Sequence, residues 1–252
     1  MTPNEKNDRA RIREKARQVY EMAEIDFARL LPGISPLGKL LAPFGLPVLE
    51  LPDNRQKLTF RSAIEYLRQE TGTNWLIPEG EENELSGFLF ACENAGIYHG
   101  YIFTERSDST ARRRFSAAHE LGHYLLHFLP MIEAGEAFEN DEMLIWTEGL
   151  SQAGDETNAP AKIATGEADS PKYVWLNERD MEREANQFAA ELLMPAHICH
   201  ELFEKYSRGS RATSTAIARQ MATDTLVSFE AMKWRLNDLG LWTPRERTTV
   251  GV

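Results

Sequence analysis

Cysteine is almost absent. Only Cys92 and Cys199 occur in 252 residues, and neither belongs to a Cys-x-x-Cys pair. That argues against a disulfide framework, and a cytoplasmic setting is expected. Both thiols read as buried or incidental. Long apolar runs are missing too. No stretch of about 18 apolar residues exists, so no transmembrane helix is expected. The polar residues 1–18 contain no apolar h-region, so no signal peptide is expected either. Positive charge is scarce: 28 Lys and Arg stand against 39 Asp and Glu, a net charge of -11. Such a balance disfavours direct binding to nucleic acid or to an anionic membrane. The acidity is local, since residues 131–170 carry ten Asp or Glu against one Lys. No internal repeat stands out.

What remains is ordinary for a soluble globular protein, with 42% hydrophobic and 27% charged residues. The length suits one large domain or two small ones. Ile12, Ala16, Val19, Tyr20, Ala23 and Phe27 recur at helical spacing, so a helix is expected over 8–31, stopped by Pro32 and Gly33. Ser35-Pro36 opens a short helix through Leu41, and residues 45–51 read as a turn into a strand. A further helix is expected at 59–70. Residues 85–90 and 95–106, rich in aromatic and β-branched side chains, read as a hairpin or two neighbouring antiparallel strands. The acidic stretch 131–170 has weak periodicity and reads as a partly ordered insertion or a surface loop. Residues 173–176 read as a short strand. Helices are expected at 111–128, at 178–194 and through most of 196–242.

The chemistry centres on His119-Glu120-Leu121-Gly122-His123, an HExxH pattern. On an α-helix, positions i and i+4 lie about 40° apart on one face, one turn up. Two imidazoles so spaced can both reach one Zn²⁺. Glu120, rotated about 100° from His119, points to the role of general base acting on water activated by the metal. Phe115, Ala118, Leu125 and Leu126 mark the helix as interior. Burying two histidines beside a glutamate for no purpose would cost several kcal/mol, on the order of the usual polar desolvation penalty. Gly122 costs about 1 kcal/mol in a helix interior, which makes sense if another backbone or a substrate approaches there.

A catalytic zinc takes three protein ligands and keeps one open position. Helix 178–194 offers Glu182, Glu184 and Glu191. Its apolar arc is formed by Met181, Ala185, Phe188, Ala189, Leu192 and Leu193. Glu182 falls within that arc, Glu184 just beyond its edge and Glu191 further out. Glu182 is therefore the expected third ligand, with Asn186 one turn on as its outer partner. Glu184 and Glu191 read as surface charges. His127 lies about 12 Å along the axis from His119, too far to share the metal. His99, His197 and His200 read as structural or exposed; the alternative is that one of them, or a tyrosine such as Tyr98, stabilises an oxyanion, and the sequence does not choose among them. Mn²⁺ or Fe²⁺ also suits this donor set.

The segments RRRFSAAHELGHYLLH and EREANQFAAELLMP resemble the ImmA/IrrE family of metallo-endopeptidases, and the resemblance extends more loosely to VSFEAMKWRLNDLGL. It implies a thermolysin-like zincin, with His119 and His123 as ligands, Glu120 as base, and a Glu-x-x-x-Asn element at Glu182 and Asn186. The fold expected is α+β, a small mixed sheet packed on the HExxH helix plus a helical C-terminal subdomain. The domain would span 1–195, including the 131–170 insertion, and the subdomain 196–252. The family further implies a protein substrate, a helix-turn-helix transcriptional repressor cleaved in a stress or mobile-element response. Strand 97–104 is a place where an extended substrate could add to the sheet. The rival reading is a zinc-containing regulatory module that binds protein or DNA through its C-terminal helices without proteolysis. Arg208, Arg211 and Arg219 give that module a modest positive face. It would need a closed four-ligand zinc site, and no fourth Cys or His is suitably spaced.

Overall fold

The computed structural model describes residues 3–52, 55–72, 83–94, 97–133, 144–151, 178–208 and 212–242. Helix α1 (Pro3–Met22) buries Ile12, Ala16, Val19 and Tyr20. It ends earlier than its apolar spacing predicts. Glu24 adopts a left-handed conformation (φ 58°), and the Glu24 and Ile25 N–H groups return to the Glu21 and Tyr20 carbonyls. This is a Schellman-type stop made without glycine, so no sequence signal marked it. Asp26 then caps a single 3₁₀ turn at Phe27–Arg29.

After α2 (Leu37–Leu41) and the short strand β1 (Val48–Leu49), helix α3 spans Phe60–Thr71. Thr59 and Ser62 form its capping box, and Gly72 closes it in the left-handed region. Strands β2 (Leu85–Asn94) and β3 (Ile97–Thr104) pair antiparallel, as the hairpin reading expects. Strand β4 (Leu144–Ser151) pairs antiparallel with the other side of β2. It lies inside the acidic stretch that reads as an insertion. The β-forming run Leu144-Ile145-Trp146-Thr147 was the available signal, masked by the acidic and polar residues around it. The four-stranded sheet has the order β1-β3-β2-β4, with β1 parallel to β3. At Ile102 and Phe103, β3 is therefore an inner strand, held by β1 on one side and β2 on the other. The edge strands of the sheet are β1 and β4.

The pleat sorts side chains to two faces. Leu89, Ala91 and Ile102 join the main core against the helices, while Phe88, Phe90 and Phe103 form a second cluster with Ile64 and Leu67 of α3. Helix α4 (Thr110–His123), capped by the Ser109 hydroxyl, lies under the first face. It runs on through a π-turn at Tyr124–Phe128 into α5 (Leu129–Glu133). Helix α6 (Glu178–Leu193) packs on α4, followed by α7 (Ala196–Ser207), α8 (Ser214–Thr225) and α9 (Phe229–Asp238). Buried residues of α1, α4, α6, α7, α8 and α9 belong to one continuous core. The α+β architecture, with a small mixed sheet on the HExxH helix, is the one the sequence suggests. Residues 173–176, read as a strand, lie outside the described residues.

Candidate metal centre

Ser109 starts α4, and its register brings His119, Glu120 and His123 inward; all three are completely buried. Gly122 explains how the second helix comes so near. A Cβ there would lie 3.1 Å from the Ala185 Cα and from the Phe188 ring, so α6 backbone fills the space a side chain would take. The backbone approach expected at Gly122 is this one. Gly87 of β2 plays the same part on the other side, because a Cβ on it would meet the Glu120 Oε1 at 2.6 Å. Glu120 thus lies beneath the glycine of a strand.

One turn before the contact at Gly122, α6 presents Glu182. Its Oε2 lies 3.3 Å from the His119 Nε2 and its Oε1 3.2 Å from the His123 Nε2. The two Nε2 atoms face each other at 2.9 Å. All three donors fall within 4.8 Å of one another. A tetrahedral ion with bonds near 2.1 Å sets its donors about 3.4 Å apart. The carboxylate distances are close to that edge, and a cation between the two ring nitrogens would relieve their approach. The Glu182 side chain is 23% exposed, so the cluster opens on that side and is closed behind the histidines.

The electrostatics suit a cation. Burial pushes the His123 ring down to about 3, partly offset by Glu182, so the ring is neutral and offers a lone pair. Burial would raise the Glu182 carboxyl, but the His119 and His123 rings facing it outweigh that and hold the group well below the usual carboxylate range. Glu120 moves the other way. Its complete burial, with the Glu182 charge second, raises it well above the ordinary value. Among the described residues neither Glu120 oxygen has a protein hydrogen-bond partner. A buried carboxyl without partners is costly, and a nearby divalent cation favours its ionised form. The donor set and this orphaned carboxyl both fit a divalent metal.

The outer contacts of the two histidines differ. The His119 Nδ1 lies 3.2 Å from the Asn186 Oδ1, the outer partner suggested by the wheel. The His123 Nδ1 lies 3.1 Å from the His127 Nδ1, and the His127 Nε2 lies 3.4 Å from the Glu184 Oε2. His127 stays outside the convergent set. The reading of Glu184 and Glu191 as surface charges fails. Both are buried, Glu184 between His127 and Arg11, and Glu191 against Arg235. Helix α6 is covered on more than one side, and the arginines that neutralise its carboxylates arrive from α1 and α9. A wheel of α6 alone cannot show this.

The remaining candidates are dispersed. The His197 ring packs edge-on against Phe27, and His200 is exposed. The side chains of Tyr98, His99 and Cys92 lie outside the described residues. Cys199 is a buried thiol pushed up to about 11 by burial, hence inert. No helix among the described residues is long and apolar enough to cross a membrane.

The family model described as IrrE N-terminal-like domain (Peptidase_M78) matches residues 68–150 and 164–237, well over half of the chain. The match includes β4 up to Leu150 and runs into α9. Only residues 151–163 interrupt it. No curated protein matches the chain.

Proposed function

The chain belongs to the IrrE N-terminal-like peptidase family, which implies a metallopeptidase, and from that premise we propose that it is a zinc-dependent endopeptidase. His119, His123 and Glu182 hold the metal, and Glu120 is the general base. One observation carries this reading: two imidazole nitrogens and a carboxylate converge within 4.8 Å beside a buried glutamate whose oxygens have no protein partner. Two nitrogens and one oxygen from three side chains form a common donor set of catalytic zinc sites.

A divalent metal bound there supplies Lewis-acid polarisation of a carbonyl and lowers the pKa of water. The protein's own residues do the rest. The site is open on the side of Glu182, whose side chain is 23% exposed, and a peptide enters there. A Glu120 oxygen takes the proton from the attacking water and later delivers it to the leaving amine nitrogen. Gly87 keeps β2 close over Glu120 and limits bulk water at the base.

An extended substrate segment adds to the sheet at β4, the edge strand beside β2, where Leu150 pairs with Gly87 above Glu120. The substrate class is a helix-turn-helix repressor, with cleavage relieving repression in a stress or mobile-element response. The test is incubation of zinc-loaded protein with the helix-turn-helix repressor encoded nearest to its gene, beside an unrelated helical protein of similar size. Selective scission of the repressor supports the regulatory role. Equal scission of both, or of neither, overturns it.

A further inference from the structure

We infer that His127 and Glu184 are positioning residues that fix His123 for the metal and couple its affinity to helix α1 through Arg11. The inference rests on the metal-centre reading and deepens it. It begins with hydrogen-bond direction. His123 turns its Nε2 toward His119 and Glu182. For that nitrogen to offer its lone pair, the ring hydrogen must sit on Nδ1, which then donates to the His127 Nδ1 at 3.1 Å. A neutral imidazole carries one N–H. Accepting at Nδ1 places the His127 hydrogen on Nε2, where it points to the Glu184 Oε2 at 3.4 Å. The other Glu184 oxygen accepts from the Arg11 guanidinium at 2.6 Å.

Donation runs inward from both ends, from the His123 Nδ1–H through His127 and from the Arg11 guanidinium, and meets at the Glu184 carboxylate, which accepts from both sides. His127 and Glu184 are both buried. Ring nitrogens that bind metals normally have their second N–H held by a carboxylate, a carbonyl or water, and loss of that partner weakens metal binding about 10- to 100-fold. For His119 the partner is Asn186, directly. For His123 the carboxylate acts through an intervening imidazole. The π-turn at Tyr124–Phe128, in which the Leu129 N–H reaches back to the Tyr124 carbonyl, carries His127. Turns of this kind concentrate at functional sites.

The experiment is competition of the metal-free protein against a chromophoric chelator for Zn²⁺ alone, with melting of the metal-free protein as the control for folding. His127→Leu should bind Zn²⁺ about 10- to 100-fold more weakly than wild type. His127→Asn keeps an acceptor near the Nδ1 position and should recover most of that loss. Glu184→Ala, which frees the His127 N–H, should weaken binding about 10-fold. Glu182→Gln serves as the ligand control. Wild-type affinity in His127→Leu, or equal losses in His127→Leu and His127→Asn with unchanged melting, overturns the inference while the metal site stands. If His127→Leu does not fold, unchanged affinity in Glu184→Ala overturns it alone. A wild-type protein that binds no Zn²⁺ removes the metal reading itself, and this inference with it.

Discussion

At the scale of single residues, a buried carboxyl is stabilised as an anion where partners are supplied, and Glu105 illustrates the rule in contrast to Glu120, whose oxygens have none among the described residues. Burial pushes the Glu105 carboxyl up, but hydrogen bonds from the Ser107 hydroxyl and from the Leu58 and Ser107 N–H groups outweigh it and hold the group below its usual value. A carboxyl depressed in the folded state contributes stability above its unfolded value, and loses it as pH falls through the folded one. Glu105→Gln should therefore cost about 1–3 kcal/mol at pH 7, the range for disturbing a buried hydrogen-bonded carboxylate. The gap to wild type should narrow in acid, when the native carboxyl also protonates. Melting followed by circular dichroism at pH 7 and pH 3 checks this, and a gap that grows in acid would count against it. The same rule decides what could be read in advance. His119, Glu120 and His123 were legible because helix geometry alone brings i and i+4 together. The environment of Glu184 was not, because its partners His127 and Arg11 come from elsewhere in the chain.

At the scale of elements, the α4–α6 contact sets the site. Two helix glycines should respond to alanine in opposite directions. In an exposed helix Gly→Ala is stabilising by about 1 kcal/mol, and Gly38 of α2, whose added Cβ would meet nothing within 4 Å, should show that gain. At Gly122 the added Cβ meets Ala185 and Phe188 at 3.1 Å. Gly122→Ala should instead lose about 1–3 kcal/mol from overpacking and weaken metal binding, since it drives Glu182 away from the histidines. Urea denaturation of the two variants, with Zn²⁺ titration of the second, separates these effects. A stabilised Gly122→Ala with native affinity would refute the close-approach account. Helix existence was readable from periodicity, and the structure adds the caps Ser109, Thr213 and Ser228. The end of α1 and the strand β4 were not. One stops on a left-handed glutamate, and the other is a short β-forming run amid polar sequence.

At the scale of the whole molecule, the helices after α6 share the core of α4 and α6, which carry the candidate metal centre. Arg235 of α9 is buried, with its guanidinium paired to Glu191 and bonded to the Met194 carbonyl at the end of α6. Breaking a buried pair by removing one partner costs about 3–5 kcal/mol. Arg235→Met should thus lower global stability by that order and melt the chain in a single transition; an early transition confined to the C-terminal helices would instead show that they fold separately. The apolar spacing in each helix foretold that these helices pack. It could not foretell which buried ion pairs join them, because those depend on the fold already being formed. The central claim is that Glu120 acts as base at a metal held by His119, His123 and Glu182. It is tested most directly by measuring cleavage of an unfolded protein by wild type and Glu120→Gln, each loaded with Zn²⁺ to measured stoichiometry. The account expects one ion per chain in both proteins and cleavage slower by about 100-fold or more in the variant, the usual contribution of a general base. Equal cleavage by both, or wild-type protein that binds no metal, would contradict it.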